Sequence, residues 1–226
     1  MLGHRGRDKS DNRWFWNRYA RLYDFEIART SKAAYAEMYR RMSATLTKDM
    51  DVLEVATGTG LIALNIASSV HSIVATDFSP KMIETANKKS KPQNLVFQNE
   101  DATALSFADN SFDAVIISNA LHIMPEPQKA LFEISRVLKN NGFLIAPNFT
   151  HGHLKKSTWN LSASILKRIG FETYQKWTPE EYVSFVGTNG FDVDNWSVMR
   201  AAFPLVYLEA RKRGKSYVSD EYNKLY

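Results

Sequence analysis

The residues that most clearly suggest chemistry lie in the stretch VLEVATGTG, residues 52–60. Three aliphatic residues surround a carboxylate, Glu54, and the run ends in a loop with glycines at Gly58 and Gly60. An apolar, helix-periodic segment, LIALNIA, follows at once. This order predicts a buried strand, a tight turn and a helix N-terminus, which is where an open parallel sheet binds a nucleotide-like ligand. Glycine lets the backbone approach such a ligand and adopt dihedral angles that a Cβ atom forbids.

Polar residues end the next three predicted strands. Asp77 ends HSIVATD, 19 residues after Gly58, where it can accept hydrogen bonds from both hydroxyls of a ribose. Asp101 ends NLVFQNED, where it can accept from an exocyclic amine such as that of adenine. Asn119 and His122 follow the apolar core of FDAVIISNALHIM. We therefore expect an adenosine-containing ligand at the carboxyl ends of these strands.

The glycine pattern alone leaves two cofactors open. The segment from Gly58 to Ala63 also satisfies the dinucleotide form GxGxx(G/A), and NAD contains the same ribose. Glu54 separates the two, because it sits where a carboxylate could pair with an ammonium group, which S-adenosyl-L-methionine has and NAD lacks. The favoured cofactor is S-adenosyl-L-methionine, and an NAD-binding Rossmann oxidoreductase is the alternative. A cofactor-binding module without catalysis is a third hypothesis, since no residue is an unequivocal base.

The sequence resembles the class I S-adenosylmethionine-dependent methyltransferases, specifically their type-11 or UbiE-like branch. The resemblance runs over about residues 16–145 and rests on EVATGTG (54–60), TDFSPKMI (76–83), NEDATALSFADNSFDAVI (99–116) and ISRVLKNNGFLI (134–145). One residue departs from the family pattern: Ala56 stands where the family usually has glycine. We expect its methyl group to shift the loop slightly without abolishing the site. Beyond residue 150 the resemblance fades, and we expect substrate identity to be decided there.

The resemblance implies an α/β fold, a Rossmann-like doubly wound sheet that is mostly parallel with a terminal antiparallel strand. We expect one methyltransferase domain over 1–226, with an N-terminal helical lid (1–48), a Rossmann-like core (49–210) and a basic tail (211–226). The resemblance also implies the cofactor-binding residues, which are Tyr19, Glu54, Ala56, Thr57, Gly58, Gly60, Asp77, Phe78, Met82, Asp101, Ala102 and Asn119. The expected product of the cofactor is S-adenosyl-L-homocysteine.

An aromatic stripe occurs in NRWFWNRYARLYDFEIA. In a helix, Trp16, Tyr19 and Tyr23 share one face, and such a stripe usually packs in a core. RYARLYD resembles the family's entry segment, which implies that Tyr19 approaches the cofactor while the helix covers the site. We therefore expect a lid that excludes water, with Trp16 and Tyr23 as substrate residues.

The expected chemistry is transfer of a methyl group from a sulfonium, for which the enzyme mainly supplies proximity and orientation. His122 is the predicted general base for a protonated acceptor; the alternative is that it only positions the cofactor or substrate. His151 and His153, in NFTHGHLKK, are predicted substrate residues that suit an anion, together with Lys155 and Lys156. No metal site is predicted, because two histidine nitrogens do not complete one.

The favoured function is methyl transfer to an oxygen, including a carboxylate oxygen, or to a nitrogen of a small-molecule or peptide acceptor. O-methylation ranks slightly above N-methylation, because no second strong base is evident. A quinone, a phospholipid amine and a thiol are the competing acceptors within the class.

Charge is distributed unevenly along the chain, whose formal net charge is +5. Residues 1–50 carry 11 Lys or Arg against 6 acids and residues 211–226 carry 5 against 2, whereas residues 51–210 carry 13 against 16. A nucleic-acid enzyme usually carries a basic stripe on its folded body, so no nucleic-acid partner is expected. An anionic substrate or membrane surface stays open as a partner of the basic ends.

Composition excludes further classes of protein. The chain has no cysteine, which rules out disulfides and the Cys-held clusters of radical chemistry. No apolar run reaches the length of a transmembrane segment and no signal peptide is evident, so we expect a cytoplasmic enzyme.

Periodicity predicts several scaffold elements. A helix is expected over 31–46, and another from Pro127 to the KNNGF segment, with Gly142 ending it. Thr178 and Glu181 form a capping box with Pro179 at the first helical position. The runs FDVDNWSV and LVYLEARK are expected to form a terminal antiparallel pair.

Overall fold

The computed structural model describes residues 13–151, 173–201 and 203–214 of the chain. The helices of this part are α1 (Arg13–Thr30), α2 (Lys32–Thr45), α3 (Leu61–Ile66), α4 (Pro80–Asn87), α5 (Pro127–Val137) and α6 (Pro179–Thr188). The strands are β1 (Asp51–Val55), β2 (Ser72–Asp77), β3 (Leu95–Asn99), β4 (Phe112–Ile117), β5 (Leu138–Ile145), β6 (Asn148–Phe149), β7 (Phe191–Met199) and β8 (Leu205–Lys212).

All eight strands belong to one sheet with the order β3-β2-β1-β4-β5-β8-β6, and β7 pairs with the other side of β8. Strands β1 to β5 run parallel to their neighbours. Strand β8 is antiparallel to β5, β6 and β7. The predicted α/β class, a mostly parallel sheet with an antiparallel strand near its end, is confirmed.

Apolar residues pack on both faces of this sheet. Val52 of β1 packs with α2 and α3 in one cluster, whereas its neighbour Leu53 packs with α5 and α6 in another. Because successive strand residues point to opposite faces, these two clusters lie on opposite sides of the sheet. The helix after β1 and the helix after β4 therefore cover different faces, which is the doubly wound arrangement.

The local signals read from the sequence produce the expected elements. Helix α2 buries Ala34, Tyr35, Met38 and Met42 on one side. Helix α6 begins with the predicted reciprocal cap, in which the Glu181 N–H donates to the Thr178 hydroxyl and the Thr178 N–H donates to the Glu181 carboxylate. Strand β8 continues to Lys212, inside the segment predicted as a basic tail. Within the described ranges, no helix is both long and apolar enough to cross a membrane.

One boundary prediction is wrong. The helix that begins at Pro127 ends at Val137, and the residues up to Gly142 belong to strand β5. The N–H groups of Asn110 and Ser111 donate to the carbonyls of the last helical turn at 3.0 and 2.8 Å. These bonds, and the pairing of β5 with β4, supply the partners that a glycine cap would otherwise provide.

Gly60 connects the turn after β1 to α3 under a tight steric limit. Its φ is +79°, a left-handed conformation that disfavours side chains. A Cβ atom placed on it would lie 2.4 Å from Cζ of Phe97, a residue of β3. Glycine is therefore required here by packing as well as by conformation.

We expect Gly60→Ala to lower the free energy of unfolding by about 3 kcal/mol, from left-handed strain and overpacking together. Urea denaturation measures this change. Gly187→Ala is the control, because Gly187 lies in α6 and a Cβ there meets no atom within 4 Å. This substitution should raise the free energy of unfolding by at most about 1 kcal/mol. Changes of the same sign in both variants would contradict the steric explanation.

Candidate cofactor-binding site

A cleft of about 300 Å³ opens at the carboxyl ends of β1 to β4. Its lining consists of strand-end residues, one aromatic residue of α1 and the turn after β4, namely Trp16, Val55, Ala56, Gly58, Asp77, Phe78, Met82, Glu100, Asp101, Ala102, Thr103, Ser118, Asn119, Ala120, Ile123, Met124, Pro125 and Glu126. The cleft lies beside the point where the chain leaves β1 and β4 toward opposite faces. Open α/β sheets bind their ligands at such a point.

The cleft contains many of the residues predicted from the sequence. Those lining it are Trp16, Ala56, Gly58, Asp77, Phe78, Met82, Asp101, Ala102 and Asn119. Those described but not lining it are Tyr19, Glu54, Thr57, Gly60, His122 and His151. The side chain of Tyr23 lies outside the described residues, as do His153, Lys155, Lys156 and the tail from residue 215.

Asp77 holds the glycine turn in place. Its carboxylate accepts from the N–H of Gly58 at 2.8 Å and from the N–H of Ser79 at 2.9 Å, one bond on each oxygen. Burial raises the pKa of Asp77 to about 6, and the two N–H bonds oppose that increase. Each carboxylate oxygen can accept a further bond, so the ribose contact predicted for Asp77 is compatible with this structural role.

Two residues that line the cleft have left-handed backbones although neither is glycine. The φ of Ala56 is +55° and that of Asn119 is +53°. Asparagine tolerates this region, and the N–H of Asn119 donates to the Pro147 carbonyl at 2.8 Å. Alanine does not tolerate it well, so the residue that departs from the resembled family pattern is a source of strain in the loop.

Four polar side-chain atoms are buried where β1 and β4 end, without a hydrogen-bond partner among the described residues. They are Glu54 Oε2, Thr57 Oγ1, Ser118 Oγ and Asn119 Oδ1. The strands are adjacent, with Val55 opposite Ile117. An unsatisfied buried polar group costs about 1–3 kcal/mol, so four of them in one place indicate a site shaped for a polar ligand.

Glu54 is only 1% exposed. Burial raises the pKa of its carboxyl to about 8, Thr57 and the Ala63 backbone oppose that increase, and the Asp77 carboxylate adds to it. A cation beside Glu54 would lower that pKa again, because it would favour the ionised carboxylate. The electrostatics therefore suit an ammonium group.

Asp101 shapes the turn after β3. Its Oδ1 accepts from the N–H of Thr103 at 2.8 Å and from the Thr103 hydroxyl at 2.7 Å. No hydrogen bond occupies Oδ2 within the described part of the chain, so this oxygen can accept from an exocyclic amine, as predicted.

Helix α1 contributes an aromatic cluster beside the cleft. The ring of Phe15 stacks on Tyr19 with centroids 5.2 Å apart and meets Trp16 edge-on at 5.1 Å. Only Trp16 of these three rings lines the cleft. The approach of Tyr19 to the cofactor stays a prediction.

Polar contacts that the sequence analysis missed anchor α1 to the site. The Ser79 hydroxyl donates to Asn17 Oδ1 at 2.7 Å, and the Thr59 hydroxyl donates to Asp24 Oδ1. The Lys89 ammonium lies 2.6 Å from Asp24 Oδ2. Asn17 and Asp24 are seven residues apart and thus share a helix face, a spacing that could have identified them.

His122 is buried next to the cleft without lining it. Its Nδ1 lies 3.0 Å from Asn148 Oδ1, and the Asn148 amide nitrogen donates to the Phe149 carbonyl. Asn148 therefore presents its oxygen to the ring, which fixes the proton on Nδ1 and leaves the Nε2 lone pair. Burial lowers the pKa of His122 to about 4, so the imidazole is neutral at pH 7.

His122 and His151 also hold the backbone of a later segment. The His122 carbonyl accepts from the N–H groups of Tyr174 and Gln175, both at 3.0 Å. The His151 N–H donates to the Trp177 carbonyl at 2.7 Å. Burial lowers the pKa of His151, and the Lys176 charge contributes.

Sequence reasoning also missed several lining residues. Ser118 precedes Asn119 at the end of β4, and its hydroxyl was detectable as a polar residue directly after an apolar strand. Met124, Pro125 and Glu126 follow a 3-10 turn, Leu121–Ile123, which brings them to the cleft. No sequence motif and no hydrophobic periodicity indicates that turn.

The glycine turn after β1, the acids after β2 and β3 and the doubly wound sheet together define a class I methyltransferase fold. A model of the family described as "Methyltransferase domain" matches residues 53–146. This range contains most of β1, all of β2 to β5 and most of the cleft.

Curated relatives agree with the family match. A demethylmenaquinone methyltransferase of Renibacterium salmoninarum is 47% identical over 100 residues, which are 44% of this chain and 41% of the relative. Another from Clavibacter sepedonicus is 35% identical over 139 residues, 61% of this chain and 53% of the relative. The ubiquinone/menaquinone biosynthesis C-methyltransferase UbiE of Citrifermentans bemidjiense is 41% identical over 106 residues, 44% of this chain and 45% of the relative. The matches thus span about half of the relatives' length.

Solved structures share the fold at lower identity. A chain from the complex of the Haloferax volcanii Trm112 methyltransferase activator with a methyltransferase has a TM-score of 0.74 at 19% identity, covering 89% of this chain and 97% of that one. The [4+2]-cyclase SpnF has a TM-score of 0.63 at 21% identity, covering 86% of this chain and 81% of that one.

Residues 53–146 of the chain thus match the methyltransferase-domain family, and the relatives that match this region are demethylmenaquinone and UbiE-type methyltransferases. The predicted resemblance to methyltransferases is confirmed over this part of the chain.

We expect Ala56→Gly to raise the free energy of unfolding by about 1 kcal/mol, because the release of left-handed strain exceeds the added entropy of the unfolded chain. Ala36→Gly, at an exposed position within α2, is the control and should lower it by about 1 kcal/mol. Urea denaturation of both variants measures the difference. Destabilisation by Ala56→Gly would show that the loop carries no strain at this residue.

The raised pKa of Glu54 predicts a pH dependence of stability. Between its ordinary pKa of 4.5 and about 8, the folded protein retains a proton that the unfolded chain releases, so stability should fall as pH rises through this range. Glu54→Gln should flatten that slope in urea denaturation of the cofactor-free protein. Glu84→Gln is the control in the upper part of this range, because above about pH 6 a carboxyl with a folded-state pKa near 2 and an ordinary pKa of 4.5 is ionised in both states. An unchanged slope in Glu54→Gln would refute the assignment.

Proposed function

We propose that this chain transfers the methyl group of S-adenosyl-L-methionine to a small-molecule or peptide acceptor and releases S-adenosyl-L-homocysteine. The observation that carries the proposal is the group of four buried, unpartnered polar atoms where β1 and β4 end. A carboxylate and an amide oxygen accept from an ammonium group, and two hydroxyls can donate to a carboxylate. The amino-acid end of S-adenosyl-L-methionine has both groups, whereas NAD has neither an ammonium nor a carboxylate.

The remaining polar residues of the cleft suit the adenosine end. Asp77 would accept from the ribose hydroxyls, and the free oxygen of Asp101 would accept from the adenine amine. Phe78, Met82 and Ala102 supply apolar surface for the base. This division orients the ligand along the strand ends, from the adenine beside β3 to the amino acid between β1 and β4.

The protein's part in the reaction is to bind, orient and exclude water. When bound, the cofactor supplies a methyl group on a sulfonium that an acceptor nucleophile attacks in line. Trp16 lines the cleft from α1, and the contacts of Asn17 and Asp24 hold that helix against the glycine turn. This arrangement supports the lid function predicted for residues 1–48.

The acceptor is a separate part of the proposal. The predicted oxygen acceptor relied on His151, His153, Lys155 and Lys156, of which only His151 belongs to the described residues. The names of the relatives, demethylmenaquinone methyltransferase and C-methyltransferase UbiE, favour a quinone-derived acceptor, which the sequence analysis included as a competitor. A quinone-derived ring is therefore the second candidate acceptor, after the predicted oxygen acceptor.

His122 is the proposed base for an acceptor that must lose a proton. The tautomer set by Asn148 supports this role, because Nε2 is the basic nitrogen. Its burial and its position outside the cleft lining favour the alternative, a positioning role. Cytoplasmic location and the absence of a nucleic-acid partner stay predictions.

Cofactor binding without methyl transfer is the competing function. The cyclase SpnF shares the fold, so this architecture alone does not determine the reaction. Binding and turnover must therefore be measured separately.

Calorimetry tests the first half of the proposal. We expect S-adenosyl-L-homocysteine to bind and NADH not to bind at the same concentration. Glu54→Gln should weaken the binding of S-adenosyl-L-homocysteine by about tenfold or more, as expected for the loss of a hydrogen bond to a charged group. Glu84→Gln should leave this affinity unchanged. Binding of NADH instead would support the oxidoreductase alternative.

Mass spectrometry of acceptor mixtures tests the second half. We expect S-adenosyl-L-homocysteine to form together with a product heavier by one methyl group. Mild alkali removes a methyl group from a carboxylate ester and leaves one on a ring carbon, so hydrolysis separates the two candidate acceptors. Tight binding without turnover on either acceptor type would favour the non-catalytic module.

A further inference from the structure

Tyr35 of α2 has a buried hydroxyl directed at the cleft residue Asn119. The side chain is 4% exposed and packs in the cluster between α2 and the sheet. The Asn119 amide nitrogen donates to the Tyr35 oxygen at 3.2 Å. The sequence predicts only a scaffold role for this helix, and no motif includes Tyr35.

This contact goes with one orientation of the Asn119 amide, in which Nδ2 faces Tyr35. The backbone of Asn119 is fixed by its left-handed φ and by the bond from its N–H to Pro147. With Nδ2 directed at Tyr35, Oδ1 lies on the other side of the amide. This oxygen is buried without a hydrogen-bond partner among the described residues. Asn119 itself lines the cleft. The opposite orientation would present Nδ2 to the cleft and would favour an anion instead.

The neighbouring carboxylate indicates what Oδ1 binds. Glu54 Oε2 is another unpartnered oxygen at the ends of these two strands, and a carboxylate and an amide oxygen together attract a group with several N–H donors. An ammonium group has three donors and no acceptor. The carboxylate of the ligand would then face the Thr57 and Ser118 hydroxyls, which can donate to it.

We propose that Tyr35 is a positioning residue for the cofactor: by accepting from Asn119 Nδ2, its hydroxyl directs Asn119 Oδ1 at the ammonium group of the cofactor's amino-acid end. This inference rests on the proposed function, since it assigns one contact within the same site. Tyr35 itself touches Asn119 and does not line the cleft.

Three ligands separate this role from a structural one. S-adenosyl-L-homocysteine has the ammonium and the carboxylate, its decarboxylated analogue has only the ammonium, and 5′-methylthioadenosine has neither. We expect Tyr35→Phe to weaken binding of S-adenosyl-L-homocysteine and of its decarboxylated analogue by about tenfold. A loss of this size corresponds to one neutral hydrogen bond at the upper end of its usual range. Binding of 5′-methylthioadenosine should stay within about twofold, because one fixed adenosine site serves all three ligands.

Asn119→Ala is the second variant and should show the same dependence on ligand. In the Asn119→Ala background, Tyr35→Phe should have no further effect on the first two ligands, because both variants remove one interaction. Tyr207→Phe is the matched control: it removes another buried hydroxyl of the same core cluster, one that donates to Glu209 at 3.0 Å away from the cleft. It should leave all three affinities unchanged even where it lowers the unfolding midpoint.

Two results would overturn the inference while leaving the proposed function intact. An equal loss for all three ligands in Tyr35→Phe would show a general structural effect. A loss seen with S-adenosyl-L-homocysteine but not with its decarboxylated analogue would show that Asn119 faces the carboxylate. If the unmodified protein binds none of the three ligands, the proposed function itself fails.

Discussion

Parallel strands β1 and β4 are hydrogen-bonded neighbours, yet the chain leaves them toward opposite faces of the sheet. The helices that follow cannot cover the gap between them, so polar groups at these strand ends are buried without partners. Left-handed residues after both strands, Ala56 and Asn119, turn the chain away from the gap. The apolar packing on the two faces offsets the strain of those turns. The cleft is thus a consequence of the strand connections, and its chemistry depends on the few side chains that enter it.

Ligand contact and loop shape are not separable at Asp77. The carboxylate that faces the cleft also accepts from Gly58 and Ser79, so it sets the distance between the turns after β1 and β2. Replacing it with alanine would leave the N–H groups of Gly58 and Ser79 without this partner, as well as removing the proposed ribose contact. Sequence reasoning treats such a residue as a binding residue alone, because the hydrogen bonds that it makes to the backbone are visible only in the fold. Loss of affinity on such a substitution would therefore combine two causes.

The sequence predicted the parts of the fold that depend on local signals. Glycines, strand-end acids and the Thr178 cap each act over a few residues, and the structure places them as expected. Leu138 shows the limit: it continues the apolar stripe of α5, but pairing with β4 makes it the first residue of a strand. Tyr35 and Asp24 show a second limit of prediction from sequence, because their hydrogen-bond partners, Asn119 and Thr59, are distant in the chain. An apolar stripe predicts burial of a tyrosine ring without predicting where its hydroxyl points.

His122 illustrates how a short turn reassigns a residue. A 3-10 turn at Leu121–Ile123 places Ile123 in the cleft lining and buries His122 against Asn148. The carbonyl of His122 accepts from Tyr174 and Gln175, and the N–H of His151 binds Trp177, so both histidines fasten the segment that follows the region where family resemblance ends. The cleft is therefore lined mainly by the strand ends of the sheet, whereas residues 174–177 are attached beside it through backbone bonds at these two histidines. The attachment at His122 is made by its backbone carbonyl, which a side-chain substitution retains. A loss of activity on changing His122 would therefore be due to the imidazole and its contact with Asn148.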